Sequence, residues 1–83
     1  VTGVGKRSVT IRGHRTSYSV EQAFYDELRK FAAQRQCALA ALVAEIDEQR
    51  PRDTNLSSAL RLYVLDRLRE RDAERRQPPE TGT

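Results

Sequence analysis

The chain has no tryptophan and no methionine, and only one cysteine, three prolines and five aromatic residues in 83 positions. A single cysteine, Cys37, cannot form an internal disulfide, which excludes a stapled secreted mini-protein and fits a reducing cytoplasm. Cys37 and the lone histidine, His14, fall short of the three or four converging ligands a metal site needs, so no metal or other cofactor is expected. Long apolar runs are missing too. The longest, Cys37 to Ala44, is far shorter than the roughly 20 residues that cross a bilayer, so no membrane association is expected. No apolar stretch follows Lys6 and Arg7, so no secretory leader is expected, and the start at Val1 reads as a trimmed or processed one. There is no glycine-rich phosphate loop. The neighbouring carboxylates Asp26-Glu27 and Asp47-Glu48 point to different helix faces and make no acid/base pair. No enzymatic activity is expected.

Acid is missing from one stretch in particular. Residues 1–20 hold Lys6, Arg7, Arg12 and Arg15 and no carboxylate, a local charge of +4, whereas residues 21–50 carry −2 and residues 51–83 carry +1. An acid-free basic arm ahead of a mixed-charge body is the footprint of an anionic partner, most often nucleic acid, although a solvated tail gives the same count. Thirteen of the fifteen bases are arginine, whose fork suits phosphates and base edges. At 9.5 kDa the chain has room for one core, and self-association is a reasonable way to enlarge it.

The hydrophobic pattern divides the chain. Residues 8–12 and 15–20 alternate with period two and read as strands, with Thr16, Tyr18 and Val20 on one face and Arg15, Ser17 and Ser19 on the other. Gly13-His14 reads as a two-residue hairpin turn, which would set Arg12 opposite Arg15 and Thr10 opposite Ser17. A bulge or break within one longer extended segment, leaving residues 6–13 as an arm, fits the same letters. The period then becomes helical. Phe24, Leu28 and Phe31 place a helix over about 21–35, with Ser19 as its cap. Leu39, Leu42, Val43 and Ile46 place a second over 39–49, ending before Pro51. Asn55 caps a third helix over about 56–70, striped by Leu56, Leu60, Val64 and Leu68. Residues 1–5 are expected to be disordered, residues 6–70 to form the domain, and the charged residues 71–83 to be a largely disordered tail.

The segment RTSYSVEQAFYDELRKFAAQRQCALAALVAEID (15–47) resembles a ribbon-helix-helix domain of the Arc and MetJ repressor superfamily. With GHRTS (13–17) before it and NLSSALR (55–61) after it, the chain is similar over about residues 6–70 to a small bacterial family of that kind. The resemblance implies a mainly α fold with a short N-terminal β element: an intertwined homodimer with an intermolecular antiparallel β-sheet and a third, C-terminal helix. It implies a cytoplasmic regulator, a repressor by expectation, that binds double-stranded DNA with its ribbon in the major groove. The contacts would be Lys6, Arg7, Arg12, Arg15, Ser17 and Ser19, with Arg15 reading a guanine edge. Tyr18, Val20, Phe24, Leu28, Leu42, Val43 and Ile46 would form the dimer core. The family's phosphate-gripping turn before the second helix, which often carries a glycine and a hydroxyl cap, here reads Gln36-Cys37-Ala38. Phosphate contact there would be weaker, shifting the load to Lys6, Arg7 and Arg12. If residues 8–12 add a strand, the dimer sheet has four strands and would not enter the groove as a ribbon does. Two other readings stay open. In one the fold serves as a dimeric module holding a protein partner, antitoxin-like, through the third helix; in the other that helix itself reads DNA with Arg61, Arg67 and Arg69.

Overall fold

The computed structural model describes residues 4–76, and the expected disorder at residues 1–3 and 77–83 lies outside the described residues. Two strands, β1 (Val4–Ile11) and β2 (His14–Glu21), form a two-stranded antiparallel sheet. Three helices follow: α1 (Gln22–Gln34), α2 (Leu39–Gln49) and α3 (Leu56–Arg76). The β element therefore closes within one chain as a hairpin, and residues 6–13 are not an arm.

The turn sits one residue earlier than the sequence suggests. Ile11 pairs with His14, so Arg12 and Gly13 are the central residues, at φ 49° and 80°. Positive φ at both positions is the type I′ geometry, whose twist matches the flanking strands. Arg15 accordingly faces Thr10, not Arg12, and Ser17 faces Ser8. The pairing differs from the expected one by two residues, and a strand repeats every two, so each side chain keeps its expected face. β1 also begins at Val4 and includes Gly5, which corrects the expectation of disorder through residue 5. The ladder continues there because Gly5 pairs with Val20 and Val4 with Glu21.

The inner face of the hairpin covers the helices. Ile11, Tyr18 and Val20 pack with Leu28, Phe31 and Ala32 of α1, Leu42, Val43 and Ile46 of α2, and Leu56, Ala59, Leu60 and Val64 of α3. Phe31 meets Tyr63 edge-on at 5.9 Å, at an interplanar angle of 81°. Six of the seven residues expected to line a dimer core (Tyr18, Val20, Leu28, Leu42, Val43 and Ile46) are thus buried by their own chain, and Phe24 is half-buried.

Helix ends follow local chemistry with two exceptions. Ser19 does not cap α1, because it lies in β2; Glu21 stands at the cap position without a side-chain bond. α1 closes with Gln36 in the left-handed region, φ 57°. There Gln36 N–H donates to Ala33 O and Cys37 N–H to Ala32 O, a Schellman closure built without glycine. α2 stops at Arg50, which is extended ahead of Pro51. Asn55 caps α3 as the sequence indicates, its Oδ1 accepting from Ser58 N–H at 2.8 Å. α3 runs to Arg76, past the expected end at residue 70. Pairs one turn apart, Arg67–Glu70 at 3.0 Å and Arg76–Asp72 at 3.2 Å, and basic residues in the last turn favour the extension.

Candidate nucleic-acid interface

The hairpin's outer face carries Val4, Lys6, Ser8 and Thr10 from β1 and Arg15, Ser17, Ser19 and Glu21 from β2. Across it Lys6 pairs with Ser19, Ser8 with Ser17 and Thr10 with Arg15. Lys6, Ser8, Thr10, Arg15 and Ser17 are all exposed. They make a surface of two cations and three hydroxyls. The one carboxylate on this face, Glu21, lies at its far end and is held by Arg61, whose Nε donates to its Oε1 at 2.9 Å. That bond, chiefly, keeps the Glu21 carboxyl below the usual carboxylate range.

Of the six residues expected to contact DNA, three gather on this surface: Lys6, Arg15 and Ser17. Ser19 shares the face but is half-buried, and Arg7 and Arg12 are engaged elsewhere. Arg7 belongs to the inner face by alternation. Its guanidinium carbon lies 3.4 Å from the centroid of the Tyr25 ring, and its Nη2 donates to Gln22 Oε1 at 3.1 Å. The neighbouring Tyr18 hydroxyl has its pKa raised, mainly by burial and next by Tyr25, with Arg7 opposing. Arg12, at the turn, reaches down to α2 instead, 3.7 Å from Asp47 and 3.5 Å from Glu48. Ser19 is half-buried; its N–H donates to Ser57 Oγ at 2.8 Å and its carbonyl accepts from Arg61 Nη2 at 3.2 Å.

Sequence reasoning left Ser8 and Thr10 out of the site, although their alternation with Val9 and Ile11 already set them on the polar face. It also missed that Arg61 is the clamp between α3 and β2. No local signal links positions 40 residues apart. Of the arginines that a helix-reading mode would need, Arg61 is spent on Glu21 and Ser19, and Arg67 donates to Glu70. At the start of α2, Ala38 occupies the cap position with no side-chain bond, so the first-turn amides after it have no capping hydroxyl.

Cys37 is free and half-buried against the core. Among the described residues no cluster of three or more His, Cys, Asp or Glu side chains could hold a metal ion, and no helix is long and apolar enough to cross a membrane.

No curated protein and no solved structure matches the chain. A family model does: that of the ribbon-helix-helix domain, over residues 4–68, which takes in the hairpin, α1, α2 and most of α3. By that match, together with a β-hairpin followed by helices in the order the family requires, this chain belongs to the ribbon-helix-helix domain family.

Proposed function

We infer that this chain is a sequence-specific double-stranded DNA-binding regulator of transcription, a repressor acting as a homodimer in a bacterial cytoplasm, which applies the outer face of its hairpin to the major groove. Ribbon-helix-helix domains commonly bind DNA as transcription regulators, generally as dimers, and their fold is non-enzymatic. The observation that carries the reading is the outer face itself: Lys6 and Arg15 beside the hydroxyls of Ser8, Thr10 and Ser17, all exposed, on a twisted two-stranded ribbon. The major groove, roughly 12 Å wide, admits such a ribbon. There Arg15 forks onto the O6 and N7 of guanine, the hydroxyls donate or accept at other base edges, and Lys6 neutralises a phosphate.

Selection from a random duplex pool, followed by binding measurements on the selected site, tests this. Arg15→Ala should cost about 1–3 kcal/mol at one base pair and relax the preference there. Arg61→Ala should leave the base preference intact. If no duplex is enriched, or if Arg61→Ala and not Arg15→Ala erases the preference, the reading fails. A second reading, a module that holds a protein partner through α3, draws support from Leu62 and Leu65, exposed at 52% and 40% on that helix. Such a module would bind its partner with little dependence on salt and would bind no duplex.

A further inference from the structure

Arg12, Arg35, Arg50 and Arg61 each meet a carboxylate. Arg7, half-buried on the inner face of β1, meets none among the described residues. Its guanidinium lies on the Tyr25 ring and bonds to the neutral amide of Gln22, while Asp26 takes Gln22 Nε2 at 2.9 Å instead. Its Nε is occluded and has no partner. A cation drawn out of water without a counter-ion is costly, and its surroundings favour an anion. Tyr18 pairs with Arg7 across the hairpin and is only 5% exposed, yet its hydroxyl has no hydrogen-bond partner among the described residues. Burial, chiefly, raises its pKa, so the proton stays on the oxygen and remains available to donate.

Both side chains line one cleft of about 240 Å³ between β1, α1 and α2, whose other walls include Val9, Tyr25, Leu39 and Val43. We propose that this cleft binds a small organic carboxylate, its oxygens held by the Arg7 guanidinium and the Tyr18 hydroxyl and its apolar body set against Val9, Leu39 and Val43. A planar carboxylate matches the guanidinium fork and leaves its second oxygen for the phenol. A phosphate would bring further oxygens and charge against walls that offer them no donor. The volume is below the roughly 300–1,000 Å³ that hold drug-sized molecules, so the ligand is small. The site goes beyond the DNA reading and needs none of it. Arg7, Val9 and Tyr18 lie on the opposite face of the hairpin from Lys6, Arg15 and Ser17, so a bound carboxylate and a duplex would not compete for side chains.

Proton–nitrogen NMR of the full chain, without DNA, titrated with sodium benzoate at constant ionic strength, tests the proposal independently of any duplex. Saturable shifts are expected at the Arg7 Nε–H and at the amides of Arg7, Val9 and Leu39. Benzamide, of the same shape without the charge, and inorganic phosphate should each bind about tenfold more weakly or worse. Tyr18→Phe keeps the buried ring and should weaken benzoate about tenfold, the usual worth of a hydrogen bond to an ion. Arg7→Gln should abolish saturation with helical circular dichroism unchanged. Shifts that never saturate, shifts centred on Lys6 and Arg15, benzamide or phosphate binding as tightly as benzoate, or a Tyr18→Phe variant that binds like the wild type would each overturn it. If either variant does not fold, the comparison of benzoate with benzamide on the wild-type chain decides alone.

Discussion

Glu21 shows how much one side chain can couple. It ends β2, precedes α1, and accepts a bond from Arg61 on α3, so three elements meet at one carboxylate. The Arg61 bond holds its pKa below the ordinary value of 4.5, as a bond from Arg35 does for Glu45 on α2. Arg35, for its part, has its own pKa raised by Glu45. For a carboxyl whose folded pKa is depressed, the unfolded chain takes up the proton first, so the contribution to stability is present above pH 4.5 and drains away as pH falls through the lowered value. Glu21→Gln should therefore be less stable than the wild type at pH 7, with the gap narrowing below pH 4.5. Urea midpoints of both proteins between pH 7 and pH 3 check this; a gap that stays constant over the whole range would refute it. Arg12 illustrates the opposite case, a cation with an expected role in binding that the fold draws onto Asp47 and Glu48.

Elements were legible where their determinants are local. The cap of α3 at Asn55 and the stop of α2 before Pro51 both follow from neighbouring letters, and both are present. The hairpin turn was legible only to within a residue. Gly13 suits the first central position of one two-residue turn and the second of another, and the choice between them depends on Arg12 accepting a positive φ. Arg12 also lies within ion-pair distance of α2, more than 30 residues on, which no local pattern reports. Two substitutions measure these ends. Gly13→Ala places a Cβ at φ 80° and should cost about 1–2 kcal/mol, although nothing crowds the site. Asn55→Ala should cost about 1 kcal/mol through the lost bond to Ser58 N–H. Denaturant unfolding reads both. A Gly13→Ala variant as stable as the wild type would mean the turn is not type I′.

At the scale of the molecule, periodicity identified the core but not whose core it is. Tyr18, Val20, Leu28, Leu42, Val43 and Ile46 are buried as their spacing requires, yet by their own chain, because a repeat says that a side chain is covered and not by which copy. The candidate site divides in the same way. Alternation separated Lys6 from Arg7 onto opposite faces, but only the packing of Tyr25 beneath β1 shows that Arg7 is spent inside. Salt dependence exposes that division. If a dimer neutralises phosphates with its two copies of Lys6 while Arg15 reads base edges, log affinity should fall against log salt with a slope of about −1.8. Lys6→Ala, which removes two phosphate contacts, should flatten the slope by about 1.8. Arg7→Ala should weaken the fold through the lost Tyr25 and Gln22 contacts and leave the slope of the folded fraction unchanged. Anisotropy titrations of one duplex between 50 and 200 mM salt resolve the difference. A flat response for the wild type would argue against phosphate contact by this face, and an Arg7→Ala variant that flattens the slope as much as Lys6→Ala would place Arg7 outside, on the DNA.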